Sequence, residues 1–167
     1  IKKLLINTKE TIFVEGGERR QDSVAAGLAA VPDAGWYIIH DGARPFISVE
    51  NILRVMEVAK LHGAAVPGLQ LNDTIKKIDD TGKVIETLDR SMLRMIQTPQ
   101  IFKGDLIRSA HNEIGSDVTD DAMMVELIGG NVKVVKGDAK NIKLTTPIDF
   151  RIAVNLLDQD SSEDRHY

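Results

Sequence analysis

Short apolar runs at Thr11–Val14, Tyr37–Ile39, Ala64–Leu71 and Val132–Val135 are separated by stretches of helical periodicity. That alternation constrains the fold more than any other feature of the chain. Short apolar runs bounded by turn formers read as buried strands. Strands that alternate with helices are joined by crossovers and pair in parallel. The expected class is α/β with a mostly parallel sheet.

The helix boundaries carry their own chemistry. A first helix is predicted to begin at Asp22 or Ser23, either of which can accept from free backbone N–H groups, with Val24, Leu28 and Val31 on one face. A second follows Ser48, lines up Ile52, Val55, Met56 and Ala59, and stops at Gly63. Two more are expected from near Gly104 and Thr119, the latter with Asp120 and Asp121 at the positive end of its dipole and Gly129 and Gly130 at its finish. Thr146 as cap and Pro147 as first helical residue announce a last helix, with Ile148, Ile152 and Leu156 in register. From Asp158 the chain is polar, so a single domain over residues 1–157 is expected to end in a frayed tail, 158–167.

One region departs from the alternation. Thr74–Ile78 and Val84–Leu88 are short β-prone runs joined by Asp79, Asp80, Thr81 and Gly82, all turn formers. This is an inserted hairpin, and a two-stranded ribbon is marginal alone, so it must pack on its own domain or on a second copy.

Composition removes several functional classes. The chain has 167 residues, 43% of them hydrophobic, enough for a true core. Its formal net charge of -4, with both signs mixed along the length, offers no basic face for nucleic acid. It contains no cysteine, which excludes disulfides, zinc–thiolate centres and thiol nucleophiles and suits a reducing cytoplasm. No apolar run approaches the ~18 residues that span a bilayer, so no membrane role is expected.

Chemistry gathers where strands end. Trp36–Ile39 run directly into His40, Asp41, Gly42, Ala43, Arg44 and Pro45, which puts a carboxylate at the carboxyl end of a buried strand, the edge where open α/β sheets hold ligands. Gly42 permits close backbone approach, and Asp41 can face a metal, a hydroxyl or a cation; a turn aspartate paired with Arg44 is the competing reading. Upstream, Gly16, Gly17, Glu18 and Ser23 lie between a strand and a helix, where backbone N–H groups and a hydroxyl can meet an anion, or simply form a capped turn. Thr74, Lys76, Arg90, Thr98, Thr119, Lys143 and Thr145 are hydroxyls and cations of the kind that bind phosphate, although each alone reads as a cap or a solvated charge.

The blocks GGERRQDSVAAGL, HDGARPF, NDTIKK, LDRSML, QTPQIF, TDDAMMVELIGG and NIKLTTPIDF occur in this order. On them the chain resembles the 2-C-methyl-D-erythritol 4-phosphate cytidylyltransferases. The resemblance implies a Rossmann-like nucleotidyltransferase fold and a homodimer whose hairpin arm, residues 73–90, reaches into the partner subunit. It implies the joining of CTP to 2-C-methyl-D-erythritol 4-phosphate, with magnesium, in isoprenoid precursor synthesis. Carried over by position, Gly17, Glu18, Ser23, Asp41 and Gly42 would line the CTP site, with Asp41 at the metal. Thr74, Thr98 and Thr119 would line the sugar phosphate site, where Arg90 and Lys143 position the attacking phosphate. Arg44 would be a polyol contact or a buried ion pair. Glu18 stands where many members have Asp, and Gly42 where Ala is common.

The implied reaction fits the inventory. A sugar phosphate oxygen is already anionic, so in-line attack on the α-phosphorus needs charge neutralisation and positioning rather than a deprotonating base. His40 is therefore expected to be structural. The family also opens with a strand, a Gly-rich loop with an Arg, and a Pro-Lys-Gln segment that are not in this sequence; about 60 residues are expected to be missing, and the chain alone is expected to be inactive. The alternatives are a cytidylyltransferase for another polyol phosphate, such as ribitol 5-phosphate, and a non-catalytic binding or dimerisation module.

Overall fold

The structure is a computed structural model that describes residues 11–163. Strand β1 (Trp36–Ile39) follows helix α1 (Arg20–Ala30), and helix α2 (Val49–His62) leads through Gly63 into strand β2 (Ala64–Gln70). The hairpin strands β3 (Ile75–Ile78) and β4 (Val84–Leu88) come next, then β5 (Arg94–Ile96) and β6 (Gln100–Lys103). Helices α3 (Gly104–Glu113) and α4 (Asp121–Leu127), strand β7 (Val132–Lys136) and helix α5 (Pro147–Glu163) complete the order.

The main sheet runs β1-β6-β2, with β5 further along the β6 side of β2 and β7 paired to β2. It is mixed where the alternation implied a mostly parallel sheet. Only β2–β7 is parallel among the described ladders; β1–β6, β2–β6 and β2–β5 are antiparallel. The reason lies in the insertion: the chain returns from the hairpin straight into β5 and β6 with no crossover helix, and a parallel return needs one.

Helices cover both faces, as the apolar strands require. Tyr37, Ala64, Val66 and Phe102 point to the face packed by α1, α3 and α4, through Leu28, Ile107, Ala110, Met124 and Val125. Ala65 and Ile101 point the other way, against Val55 and Ala59 of α2. Burying a side chain such as Val55 or Ile107 in full is worth about 1.5–3 kcal/mol, and here the period-2 and period-3.6 patterns meet in one core.

The caps largely follow the sequence. Ser48 Oγ accepts from the Asn51 N–H at 3.1 Å, and Gly63 closes α2 at φ 87°, a conformation that excludes most side chains. Helix α1 starts earlier than expected, at Arg20, because the Asp22 carboxylate reaches back to the Arg19 N–H at 3.1 Å rather than serving as the cap itself. Helix α4 is capped by Asp120, whose Oδ1 accepts from the Met123 N–H at 2.9 Å, and not by Thr119. Thr11–Val14 forms no strand; its side chains are exposed, and the ladders of the described sheet run among β1, β2, β5, β6 and β7. A β-prone run becomes a strand only within a ladder. Helix α5 continues through Asp158 to Glu163, past the point where the polar tail begins, while residues 164–167 of that tail lie outside the described residues. Over residues 147–157 of this helix Ala153 is the buried side chain, whereas Ile148 and Ile152 are exposed.

The hairpin matches its expectation and forms a separate two-stranded sheet. Asp79 organises its turn, accepting from the Thr81 and Lys83 N–H groups at 3.0 Å each and from the Thr81 hydroxyl at 2.6 Å.

Candidate functional site

The site grows from an irregularity in the sheet. Between the pairs Gly68↔Ile96 and Ala65↔Ile101, residues 66 and 67 of β2 face residues 97–100, so the β5–β6 side carries two more residues than its partner. Such a bulge re-aims side chains away from the pleat. Thr98, on the bulge, turns its hydroxyl to the end of β1, where Oγ1 accepts from the Asp41 N–H at 3.0 Å. His40 completes the corner: its Nε2 donates to the Arg44 carbonyl at 2.9 Å, which leaves Nδ1 to accept from the Thr98 hydroxyl at 3.0 Å. Both ring nitrogens are engaged, in keeping with the structural role expected for His40.

Asp41 is thereby fixed at the carboxyl end of β1, and cations converge on it. Arg20 Nε lies 3.2 Å from Oδ1, Lys143 Nζ 3.0 Å from Oδ2, and Arg44 Nε 3.6 Å from Oδ2. Burial pushes the Asp41 carboxyl up, but Lys143 and Arg20 outweigh it and hold the group below the usual carboxylate range. Arg20 in turn donates to Asp121 Oδ2 at 2.6 Å, and Asp121, only 1% exposed at its side chain, has His111 Nε2 3.1 Å from its other oxygen. Arg44 donates to the Asn141 carbonyl at 2.8 Å, while its Nε and the Asn141 Oδ1 are buried without hydrogen-bond partners. Of the two readings of Arg44, the chain by itself displays the buried ion pair.

A pocket of about 310 Å³ opens here, and Asp41, Arg44, Thr98, Thr119 and Lys143 all line it. These sequence-predicted residues come from separate regions of the chain and are brought together. The others are not. Gly42 is exposed beside the pocket, in a turn closed by the Arg44 N–H on the Asp41 carbonyl at 2.9 Å. Gly17 donates its N–H to Ser23 Oγ at 3.1 Å and leaves no room for a side chain, since an added Cβ would lie 2.3 Å from Asp22 Cβ. With exposed Glu18 it forms the turn into α1, outside the pocket lining. Thr74 is exposed on the hairpin arm, and Arg90 donates to the Asn72 carbonyl in a second cavity, of about 430 Å³. Within one chain Arg90 and Lys143 therefore do not share a pocket, although the resemblance assigns them to one phosphate.

Other lining residues were not named as site residues from the sequence. Arg20, Gln97, Gln100 and Asp120 also border the pocket. The blocks GGERRQDS, QTPQIF and TDDAMMVE contained them, but alternation along a strand cannot reveal which residues a bulge turns toward a site.

Among the described residues no three His, Cys, Asp or Glu side chains cluster as a protein cage for a metal would require. Magnesium seldom uses such a cage. It takes one or two carboxylates and fills its octahedron with water and phosphate oxygens. Asp41, with Asp120 lining the same pocket, matches that donor set.

The sequence model of the family described as "IspD: 2-C-methyl-D-erythritol 4-phosphate cytidylyltransferase" matches residues 1–159. A 2-C-methyl-D-erythritol 4-phosphate cytidylyltransferase of Dehalococcoides mccartyi is 46% identical over 150 residues, covering 90% of this chain and 66% of the relative. One of Geobacillus thermodenitrificans is 45% identical over 153 residues, with 89% and 66% covered. The chain thus spans just under two thirds of the length of these curated relatives, 66% in each. Among solved structures, 4-diphosphocytidyl-2C-methyl-D-erythritol synthase from Anaerococcus prevotii superposes with a TM-score of 0.86 at 34% identity, covering 94% of this chain and 75% of that one. The cytidylyltransferase from Thermus thermophilus gives a TM-score of 0.79 at 36% identity, with 90% and 78% covered.

Proposed function

From the premise that this chain belongs to the 2-C-methyl-D-erythritol 4-phosphate cytidylyltransferase family, we propose that it serves an enzyme that joins CTP to 2-C-methyl-D-erythritol 4-phosphate, acting in the cytoplasm in isoprenoid precursor synthesis. The observation that carries the reading is the convergence of Lys143, Arg20 and Arg44 on Asp41 in a pocket lined by Thr98 and Thr119. A site that gathers cations and hydroxyls around one carboxylate suits crowded phosphates.

A phosphate oxygen of the sugar attacks the α-phosphorus of CTP. One P–O bond forms, the bond to the β-phosphate bridge breaks, and pyrophosphate leaves with the electron pair. The products are 4-diphosphocytidyl-2-C-methyl-D-erythritol and pyrophosphate. Lys143 leaves its ion pair with Asp41 to hold the attacking phosphate in line, where alignment lowers the barrier by removing the entropy of encounter. Thr98 and Thr119 orient the polyol phosphate, and Arg44, which lines the same pocket, contacts the same substrate. Gly17, Glu18, Ser23 and Gly42 flank the nucleotide. Asp41 would hold a magnesium ion, which supplies positive charge to the phosphates when bound.

The assembly we propose is a two-fold homodimer through the hairpin arm. Ile78, Val84 and Ile85 are exposed on a ribbon that makes its own small sheet, and a second copy would cover them. In that assembly Arg90 and Thr74 complete the partner's pocket, which accounts for their distance from Lys143 within one chain.

The test is pyrophosphate release with CTP, magnesium and a panel of polyol phosphates, using the protein that carries this chain. Turnover is expected with 2-C-methyl-D-erythritol 4-phosphate at a kcat/KM well above that for ribitol 5-phosphate. Preference for the ribitol substrate, or no turnover with either, overturns the reading.

A further inference from the structure

Gln97 occupies the bulge but makes no bond to Asp41 or to the cations around it. Its side chain is buried, and its amide is spent on backbone. Nε2 donates to the Asp138 carbonyl at 2.9 Å and to the Asn141 carbonyl at 3.1 Å, and Oε1 accepts from the Asp138 N–H at 3.1 Å. The carboxamide thus pairs with Asp138 as a peptide unit of a neighbouring strand would, using a donor and an acceptor at once. The approach is close: a Cβ on Gly137 would lie 2.6 Å from Gln97 Oε1.

The segment held in this way leads to Lys143. Asn141 donates its Nδ2 to the Thr98 carbonyl at 2.7 Å, and the Leu144 N–H donates to the Ala43 carbonyl at 2.8 Å. Lys143 lies between those anchors and is half exposed, so its own side chain is not confined by packing. The aim of its ammonium is set by the backbone from which it springs. That backbone is irregular and would be free to shift without side chains that satisfy its polar groups.

We propose that Gln97 is a positioning residue: its amide fixes the 138–141 backbone so that Lys143 reaches the Asp41 pocket, and it influences bound phosphate only through Lys143. The kinetic consequence rests on the reading of Lys143 as a phosphate-binding group, whereas the geometric one does not. A residue that merely stabilised the fold would lower the melting temperature without moving the Lys143–Asp41 pair. A residue that touched phosphate itself would still matter in the absence of Lys143.

The experiment combines Gln97→Met, which keeps the length and removes both hydrogen-bonding groups, with Lys143→Ala and the double variant. In the substrate-free protein, the separation of Lys143 Nζ from Asp41 Oδ2, 3.0 Å in the unaltered chain, is measured in crystal structures of the unaltered protein and of Gln97→Met. It is expected to lengthen in Gln97→Met, with the 138–141 backbone displaced and the rest of the fold unchanged. In turnover, Gln97→Met is expected to lower kcat/KM for the sugar phosphate about tenfold to a hundredfold with CTP affinity kept, and to cause no further loss when Lys143 is already Ala. Should Gln97→Met not fold, Gly137→Ala, which pushes the amide aside, carries the same readings. A Lys143–Asp41 separation and a 138–141 backbone unchanged by the substitution overturn the proposal. So does an equal loss of kcat/KM with and without Lys143. If the unaltered protein does not turn over, the functional reading has failed instead, and the Lys143–Asp41 separation decides the positioning role by itself.

Discussion

Lys143 Nζ sits 3.0 Å from Asp41 Oδ2, so a lysine on the loop after β7 meets an aspartate at the end of β1 across the mouth of the pocket. The pair joins an ammonium that is half exposed to a carboxylate whose side chain is only 13% exposed. Charge has been drawn inward, and the cost of burying it is offset by Lys143 and Arg20 together.

The first expectation concerns acid. Because the folded protein holds Asp41 below the usual carboxylate range, the unfolded chain binds the proton more readily. The stabilisation is therefore complete above the unfolded value of about 3.9 and disappears as pH falls through the lower folded value. Urea midpoints measured from about pH 5 down to about pH 2 should fall less steeply for Asp41→Asn than for the unaltered protein. Parallel slopes would show that Asp41 carries no such linkage.

A second expectation follows from Asp121, which is buried between Arg20 and His111. Replacing it with Ala strands a half-buried guanidinium and a buried imidazole. A loss of about 3–5 kcal/mol in urea unfolding is expected, far more than a surface aspartate such as Asp80 would cost. A loss below about 1 kcal/mol would mean that the pair relaxes into solvent.

Subunit mixing tests the arm. If Arg90 serves the partner's pocket, then Arg90→Ala and Lys143→Ala proteins are each nearly inactive alone. Their equal mixture should recover about a quarter of full activity, since half the dimers are mixed and each holds one intact site. No recovery after the subunits have demonstrably exchanged would place Arg90 and Lys143 in the same subunit's site.

The arm should also yield locally. Asp79→Ala removes three hydrogen bonds from the hairpin turn while touching no core residue. Amide exchange is expected to quicken across Ile75–Leu88 and to stay unchanged in β2 and β6. Uniform acceleration would tie the ribbon to the core more closely than its separate sheet suggests.

Much of this was legible in the residues. Ser48 and Gly63 marked the ends of α2, the DDTG turn marked the hairpin, and Asp41 was placed at a strand terminus by the apolar run before it. The pocket residues Asp41, Arg44, Thr98, Thr119 and Lys143 were named from motifs and do converge. What escaped was whatever depended on long-range pairing. The direction of β6 is set by the way the inserted hairpin rejoins the sheet, and no periodicity encodes strand direction. Arg20 looked like one more charge in a turn, because its partners Asp41 and Asp121 are remote in sequence. Gln97 and Gln100 went unnoticed inside the QTPQIF block because a bulge leaves no mark on composition.

The position of β6 has a consequence for how the chain is made. β1 and β2 have no ladder with each other; β6 lies between them, pairing Tyr37 with Phe102 on one side and Ala64 with the same Phe102 on the other. A ribosome delivering the chain from its N-terminus therefore produces two apolar strands whose shared neighbour does not yet exist. Until residue 103 has emerged, both strands present open edges, and such edges invite pairing with other nascent chains. An interior strand of the described sheet is thus a later arrival than both its neighbours, and closing it joins contacts far apart in sequence, the kind that makes folding slow. A chaperone that shields residues 36–70 during synthesis would act at the interval when this protein is most exposed to misassembly.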